Sequence, residues 1–351
     1  MPVLRRRQFL SAGLAVPLAA PLSTALAAPA FARQRQVWTL VTSWARNQPG
    51  PGTSAQRLAD RITQGSNGLL TVELSAAGEL VAAFDVLTAV ASGTAQMGHS
   101  AALFWIDSLP AAYHFSAVPF GMGPRASQAW LAHGGGQALW DQLYADFAIK
   151  PFLAGNSGPT LAGWFRAPIQ SLADLRGRRL RAVGLGGEIY RRLGASTLAL
   201  PPADLFQALD SGAIDGAEFL GPFSDRALSL DQVAPYGYRP GFNKPNGGAE
   251  ALIAQSAWQA LPPDLQSLVQ SACEAESLAG LAEADALNAA ALQAMQAEGA
   301  QPLAPLPEDL ITAARQSAQE LRAELAAGDA LHERIRASYD HFAERMTGWI
   351  G

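Results

Sequence analysis

Apolar positions recur along this chain with two alternating periods, and a purely helical regime takes over near the end. Residues 36–42 (Gln-Val-Trp-Thr-Leu-Val-Thr) are β-branched and aromatic enough to predict a strand. A proline–glycine turn at Asn47–Gly52 follows. Thr53 and Ser54 then offer helix caps, and Ala55, Leu58, Ala59 and Ile62 fall on one face of a helix running to about Gln64. The same reading gives strand Leu70–Leu74, helix Ala82–Ala91 and strand Ala95–His99, two amphipathic helices within Ala126–Phe147, and a strand at Lys150–Ala154. Strand–helix alternation of this kind predicts a largely parallel sheet.

The pattern breaks at Gly155-Asn-Ser-Gly-Pro159 and restarts in shorter units: strand Arg179–Ala182, helix Gly187–Leu193, strand Thr197–Leu200, helix Ala203–Ser211 and strand Gly216–Leu220. Asp231–Gly241 reads as the way back. After Ala254 the chain is almost wholly helical, with one long helix over Pro262–Glu298 and one or two more over Pro307–Met346. The expected organisation is an α/β protein of two lobes. Residues 33–156 form the first lobe, with 246–300 returning to it; 157–245 form the second; 301–351 are C-terminal helices. A chain that crosses twice between α/β lobes has the plan of a hinged clamp, with a ligand between the lobes.

Composition narrows the chemistry. With 351 residues and 49% hydrophobic content the chain can bury two cores. Net charge is −5; residues 1–32 hold three arginines and no acid, so the remainder carries −8. An acidic chain without a basic run is a poor nucleic-acid binder. The only lysines are Lys150 and Lys244, so a functional ammonium must be one of these two. A single cysteine, Cys273, excludes an internal disulfide and reads as a small core residue. Residues 1–32 read as an export signal. Arg6-Arg7-Gln8-Phe9-Leu10 fits the twin-arginine form, and Ala30-Phe31-Ala32 offers an A-x-A cleavage site. The mature chain is expected to begin near Arg33 and to work outside the cytoplasm.

Several catalytic patterns fail. The five histidines (His99, His114, His133, His332 and His341) show no H-E-x-x-H spacing. Gly155–Gly158 does not satisfy G-x-S-x-G. Gly184-Leu-Gly186-Gly187 sits in a strand–turn–helix context, but G-x-G-x-x-G fails at Ile189. That turn still aims helix N–H groups at an anion. Arg181 ends a short apolar strand just before it. A buried guanidinium there suits a carboxylate, because its planar fork matches the two oxygens and it cannot shed its charge. Arg176 and Arg178 read as solvated. Glu218 ends the apolar run from Ile214 and reads either as a ligand-side group or as a structural ion-pair partner for an arginine.

Taken together, these motifs resemble the periplasmic solute-binding proteins of tripartite ATP-independent periplasmic (TRAP) transporters, and most closely their 2-oxoacid-receptor branch. The resemblance runs over nearly the whole mature chain. It rests on Thr42-Ser-Trp-Ala-Arg-Asn47, Val118-Pro-Phe-Gly121, Gly134-Gly-Gly136, Gly163-Trp-Phe165, Arg181-x-x-Gly184, Leu209-x-x-Gly212-x-x-Asp215-Gly-Ala-Glu218 and Pro240-Gly241. It implies the two-lobed periplasmic binding protein fold with a hinge and a long lobe-spanning helix. It also implies no catalysis, a small organic carboxylate as ligand, delivery to membrane permease subunits, and in some members a homodimer made by exchanging a C-terminal helix, for which 307–346 is the candidate. A ligand-sensing protein for a signalling receptor would share this fold. A hydrolase or lyase on the same scaffold would need a constellation the chain lacks.

By the same resemblance Arg181 is the carboxylate clamp and Glu218 helps hold a cation, sodium or calcium, beside the substrate. Asn156 and Trp164 line the pocket. The chain departs from that branch at four places. Thr160 stands where Gln is common, Phe219 where Trp is, Lys244 where Glu is, and Leu103-Phe104 where a tyrosine pair precedes the tryptophan. A cation site is therefore doubtful. Lys244 either replaces the cation, with its ammonium near Glu218 or the substrate, or lies solvated on the rim of a loop-like stretch. Leu103, Phe104 and Phe219 make the cleft more apolar, which favours a branched-chain 2-oxoacid or an aryl carboxylate over pyruvate or a dicarboxylate.

Overall fold

Two five-stranded sheets carry the chain, and the computed structural model describes residues 35–350. The export-signal reading of residues 1–32 lies outside them. In chain order the first sheet and its helices run β1 (Gln36–Thr42), α1 (Pro51–Gly65), β2 (Leu70–Ser75), α2 (Val86–Ala91), β3 (Met97–Ser100), α3 (Pro124–His133), α4 (Gly136–Leu143) and β4 (Ile149–Asn156). The second sheet holds β5 (Gly163–Phe165), β6 (Arg179–Arg181), α5 (Gly184–Arg192), β7 (Ser196–Leu198), α6 (Leu205–Asp210), β8 (Gly216–Ala217), α7 (Pro222–Ala227), α8 (Leu230–Val233) and β9 (Tyr236–Tyr238). The chain returns through β10 (Gly248–Ala254), then α9 (Gln255–Ala260), α10 (Pro263–Ala297), α11 (Glu308–Ala326) and α12 (Ala330–Ile350).

Strand order is β2-β1-β3-β10-β4 in the first sheet and β7-β6-β8-β5-β9 in the second. The parallel expectation holds for β1 with β2 and β3, and for β6 with β7 and β8. It fails at β10, which enters antiparallel between β3 and β4, and at β5, which is antiparallel to both β8 and β9. All seven residues of β10 are buried, as a central strand covered on both faces requires. Local periodicity cannot place a strand that comes back from another sheet.

Several element bounds differ from the expected ones, the start of α2 (Val86 rather than Ala82) among them, and three bear on the site. Helix α1 begins at Pro51, whose fixed φ suits the first turn. Neither Thr53 nor Ser54 caps it: Thr53 Oγ1 donates to Gly50 O and Ser54 Oγ donates to Glu276 Oε1. Helix α5 begins at Gly184 rather than Gly187. Strand β8 stops at Ala217. Phe219 therefore lies beyond the ladder and lines the cleft, while Glu218, whose N–H still donates to Arg181 O at 2.9 Å, stays buried and off the cleft lining.

The 35-residue α10 is roughly 50 Å long, enough to touch both sheets' layers. Its Glu276 meets Arg57 of α1 at 2.7 Å, and its Asn288 Oδ1 accepts the backbone N–H of Phe223 in α7 at 3.0 Å. Gly280 permits this close seat, since a Cβ there would stand 3.2 Å from the Asn156 backbone nitrogen. Helices α11 and α12 fold back onto the same chain. Tyr339 Oη accepts Met122 N–H at 2.7 Å, and Arg192 of α5 meets Glu324 of α11 at 2.6 Å. Among the described residues no helix is long and apolar enough to cross a membrane.

Candidate functional site

The cleft between the two sheets has a charged side and an apolar side. The charged side begins with Arg181, which β6 delivers at its last position and which is only 1% exposed. Its Nε donates to Leu200 O at 3.0 Å and its Nη1 to Glu218 O at 2.7 Å. Nη2 carries neither bond, so the fork is braced by main-chain oxygens on one side and presents its remaining edge to the cleft. Burial pulls this guanidinium's pKa down, against the opposing pull of Glu218 and Asp225.

Glu218 sits at the centre. Its Oε1 lies 3.6 Å from Arg181 Nη1 and accepts Val183 N–H at 3.2 Å. Its Oε2 accepts Asn243 Nδ2 at 2.8 Å and meets Lys244 Nζ at 2.5 Å. The Lys244 ammonium also donates to Phe219 O at 2.5 Å. Of the two positions open to Lys244 from the sequence, the structure has the buried one beside Glu218. Burial lowers the lysine's pKa, and Glu218 works against that shift. Two cations thus face one carboxylate, leaving an excess of positive charge that Asp225 offsets only in part. Asp225, fully buried behind them, accepts Trp164 Nε1–H at 2.9 Å and Leu220 N–H at 2.8 Å. Burial pushes its carboxyl up to about 7, so it adds at most part of a charge at neutral pH.

The apolar side comes mainly from the first sheet. Trp44, Leu103 and Phe104 line the cleft opposite Val183, Phe219 and Phe223. The Arg181 guanidinium stands 5.8 Å from the Phe219 ring centroid, a cation–π distance. The lobes meet across the mouth: Ser224 Oγ donates to Pro49 O at 3.1 Å. Gly184, at φ +61°, lets the backbone approach Leu103, where an added Cβ would stand 3.3 Å from the leucine's own. This is a closed arrangement.

Not every expected residue reaches the cleft. Asn156, Phe104, Phe219, Arg181 and Lys244 line it. Asn156 is turned by Asn246, whose Oδ1 accepts its Nδ2–H at 2.8 Å. Trp164 does not line it; the indole is 1% exposed and is spent on Asp225. Thr160 lies behind as well. Its N–H and Oγ1–H both donate to Lys244 O, at 3.1 and 3.2 Å, and fix the lysine's loop. Asn243 was not anticipated. Its only sequence signal is adjacency to Lys244, together with the need of Glu218's oxygens for donors.

The seat beside Glu218 that the resemblance gives to a metal ion is taken by the Lys244 ammonium. Among the described residues no group of three or more His, Cys, Asp or Glu side chains is placed to hold one. Glu218 is the carboxylate that would have to do so, and Oε2 already carries an ammonium at 2.5 Å. A second cation at that oxygen would face Lys244 and Arg181 at close range.

The profile of the bacterial extracellular solute-binding proteins, family 7 (DctP), matches residues 40–329. The chain belongs to this family. It is 35% identical over 312 residues to the monocarboxylate 2-oxoacid-binding periplasmic protein of Nostoc sp., covering 89% of this chain and 85% of that one. Its structure is similar to a TRAP solute-binding protein from Bordetella bronchiseptica (TM-score 0.87, 32% identity, 90% and 94% of the two chains), described as a mixed-occupancy dimer with copurified calcium and picolinate. It is also similar to one from Pseudoalteromonas atlantica with bound sodium and pyruvate (TM-score 0.86, 32% identity, 90% and 96%). The two-lobed α/β fold with helical C-terminus is therefore that of TRAP solute-binding proteins, and the members of this family are solute-binding receptors.

Proposed function

We propose that this chain is a periplasmic receptor that captures a small organic monocarboxylate with an apolar body, closes over it, and presents it to TRAP permease subunits without chemical change. The observation that carries this reading is the excess of positive charge. Arg181 and Lys244 share one carboxylate, Glu218, beside a cleft whose lining includes the apolar Trp44, Leu103, Phe104 and Phe219 and no further cation. One ligand carboxylate completes the balance. A second one, as in a dicarboxylate, would find no further Arg, Lys or His on the lining and go without an ionic partner.

In this reading Lys244 takes the place of the metal ion seen in the relatives, as a cation built into the chain. Ligand enters the open cleft, its carboxylate engages the free edge of Arg181, and closure excludes water, which strengthens the ion pair by lowering the local dielectric. The ligand shifts closure only by its preference for the closed form. The test is calorimetry on residues 33–351 against monocarboxylates, 2-oxoacids and dicarboxylates. A monocarboxylate is expected to bind most tightly. Arg181→Ala is expected to cost about 2–5 kcal/mol of that affinity, as removal of one partner of a buried charge pair does. Tighter binding of succinate or malate, or unchanged affinity in Arg181→Ala, would refute the reading.

A further inference from the structure

The apolar wall is an aromatic run whose two ends are each tied by an indole N–H to a buried ionisable acceptor. At one end Trp44 Nε1–H donates to His99 Nδ1 at 2.9 Å. The other ring nitrogen of His99 lies 3.1 Å from Ala154 O. A carbonyl can only accept, so the proton sits on Nε2 and Nδ1 is free to accept from Trp44. His99 is 0% exposed and therefore has no solvent alternative for either nitrogen. At the other end Trp105 Nε1–H donates to Glu250 Oε1 at 2.6 Å, while Tyr144 Oη–H donates to Oε2 at 2.9 Å. Glu250 is 1% exposed.

Between these anchors the rings touch in series. Trp44 and Phe104 have centroids 5.9 Å apart, and Phe104 and Trp105 are 6.1 Å apart at 75°. Trp44 and Phe104 line the cleft, whereas His99, Trp105 and Glu250 do not. The register explains why both ends can be held at once. In the pairing of β3 with β10, Ala251 stands opposite His99 and Glu250 opposite Ser100, so the two anchors leave neighbouring positions on opposite faces of the sheet. Buried side chains of this kind are normally retained for a partner, since an unpaired acceptor in such a place is costly.

We propose that His99 and Glu250 are positioning residues that hold the Trp44–Phe104–Trp105 wall at a fixed depth in the cleft and thereby set its preference for an apolar ligand body. The proposal rests on the carboxylate-receptor reading above. Neither residue touches ligand; each acts through an indole. Loosening an anchor lets the wall relax, which alters the fit of a bulky body and leaves the carboxylate contacts with Arg181 in place.

The test uses residues 33–351 and two probes, 4-methyl-2-oxopentanoate and pyruvate. In His99→Leu and Glu250→Leu the affinity for 4-methyl-2-oxopentanoate is expected to fall about tenfold and that for pyruvate less than about threefold, the scale at which apolar pockets discriminate. His99→Asn keeps an acceptor near the Nδ1 position and Glu250→Gln keeps one for Trp105; both are expected to restore the selectivity. The indole N–H resonance of Trp44, assigned by its loss in Trp44→Phe, is expected to shift in His99→Leu and to return in His99→Asn. Should the leucine variants not fold, Trp105→Phe removes the donor from the opposite side without altering a cleft-lining residue, and the same selectivity loss is expected. Equal weakening of both probes, or leucine variants that retain wild-type selectivity, would overturn the proposal. Failure of both probes to bind the wild type would instead overturn the receptor reading, while the indole resonance would still report on the anchor.

Discussion

The two sides of the cleft are built on opposite plans. On the charged side Arg181 and Lys244 stand 3.6 and 2.5 Å from the Glu218 carboxylate, and every one of the three is braced by backbone: Arg181 by Leu200 and Glu218 carbonyls, Lys244 by Phe219, Glu218 by Val183. On the apolar side the ionisable groups, His99 and Glu250, are withdrawn behind the rings, and Trp44, Leu103 and Phe104 line the cleft. Charge next to the ligand sets whether an acid binds at all. Charge withdrawn behind a ring sets where the ring stands, and so which acid fits.

The comparison can be broken first on the charged side. Glu218→Ala leaves two buried cations with no carboxylate between them. Loss of one partner of a buried pair costs about 3–5 kcal/mol, because the other charge stays buried. Urea unfolding is expected to show a fall of that size; a fall well under 1 kcal/mol would mean that the triad is solvated.

The withdrawn side is sharpened by pH. Burial raises the Glu250 carboxyl from 4.5 to about 7. In the window between those values the folded protein keeps a proton that the unfolded chain has released, so stability falls as pH rises through it. The shift corresponds to a loss on the order of 3 kcal/mol, complete above the folded value. Glu250→Gln is expected to flatten the decline between pH 5 and pH 8, leaving the part due to Asp225, whose carboxyl shifts the same way. Parallel stability curves for the two proteins would contradict the assignment. His99 works in the opposite direction. Its pKa is lowered to about 4 by burial, so its contribution is lost as pH falls from 6.5 toward that value.

Much of this was legible in the chain because it is local. A helix over Pro262–Glu298 follows from uninterrupted helical composition, and the structure has it at Pro263–Ala297. Arg181 at a strand end before a glycine turn follows from spacing alone. What escaped is non-local. The insertion of β10 between β3 and β4 depends on the chain's return from the other sheet, and periodicity carries no record of that. The placing of Trp164 behind the cleft depends on Asp225, sixty-one residues away. The loop character of Pro240–Gly247 left Lys244 open between rim and interior. Burial there is decided by Glu218 and Phe219, which the loop's own sequence does not contain.

Lys244 is proposed to do the work of the metal ion present in the sodium- and calcium-bound relatives. The most direct measurement is calorimetric titration of the tightest-binding monocarboxylate into residues 33–351, once with chelator and once with calcium, for the wild type and for Lys244→Glu. Wild-type affinity is expected to stay within about twofold on adding calcium, and the Lys244→Glu protein to bind only when calcium is present. A wild type whose affinity rises tenfold or more on adding calcium would contradict it.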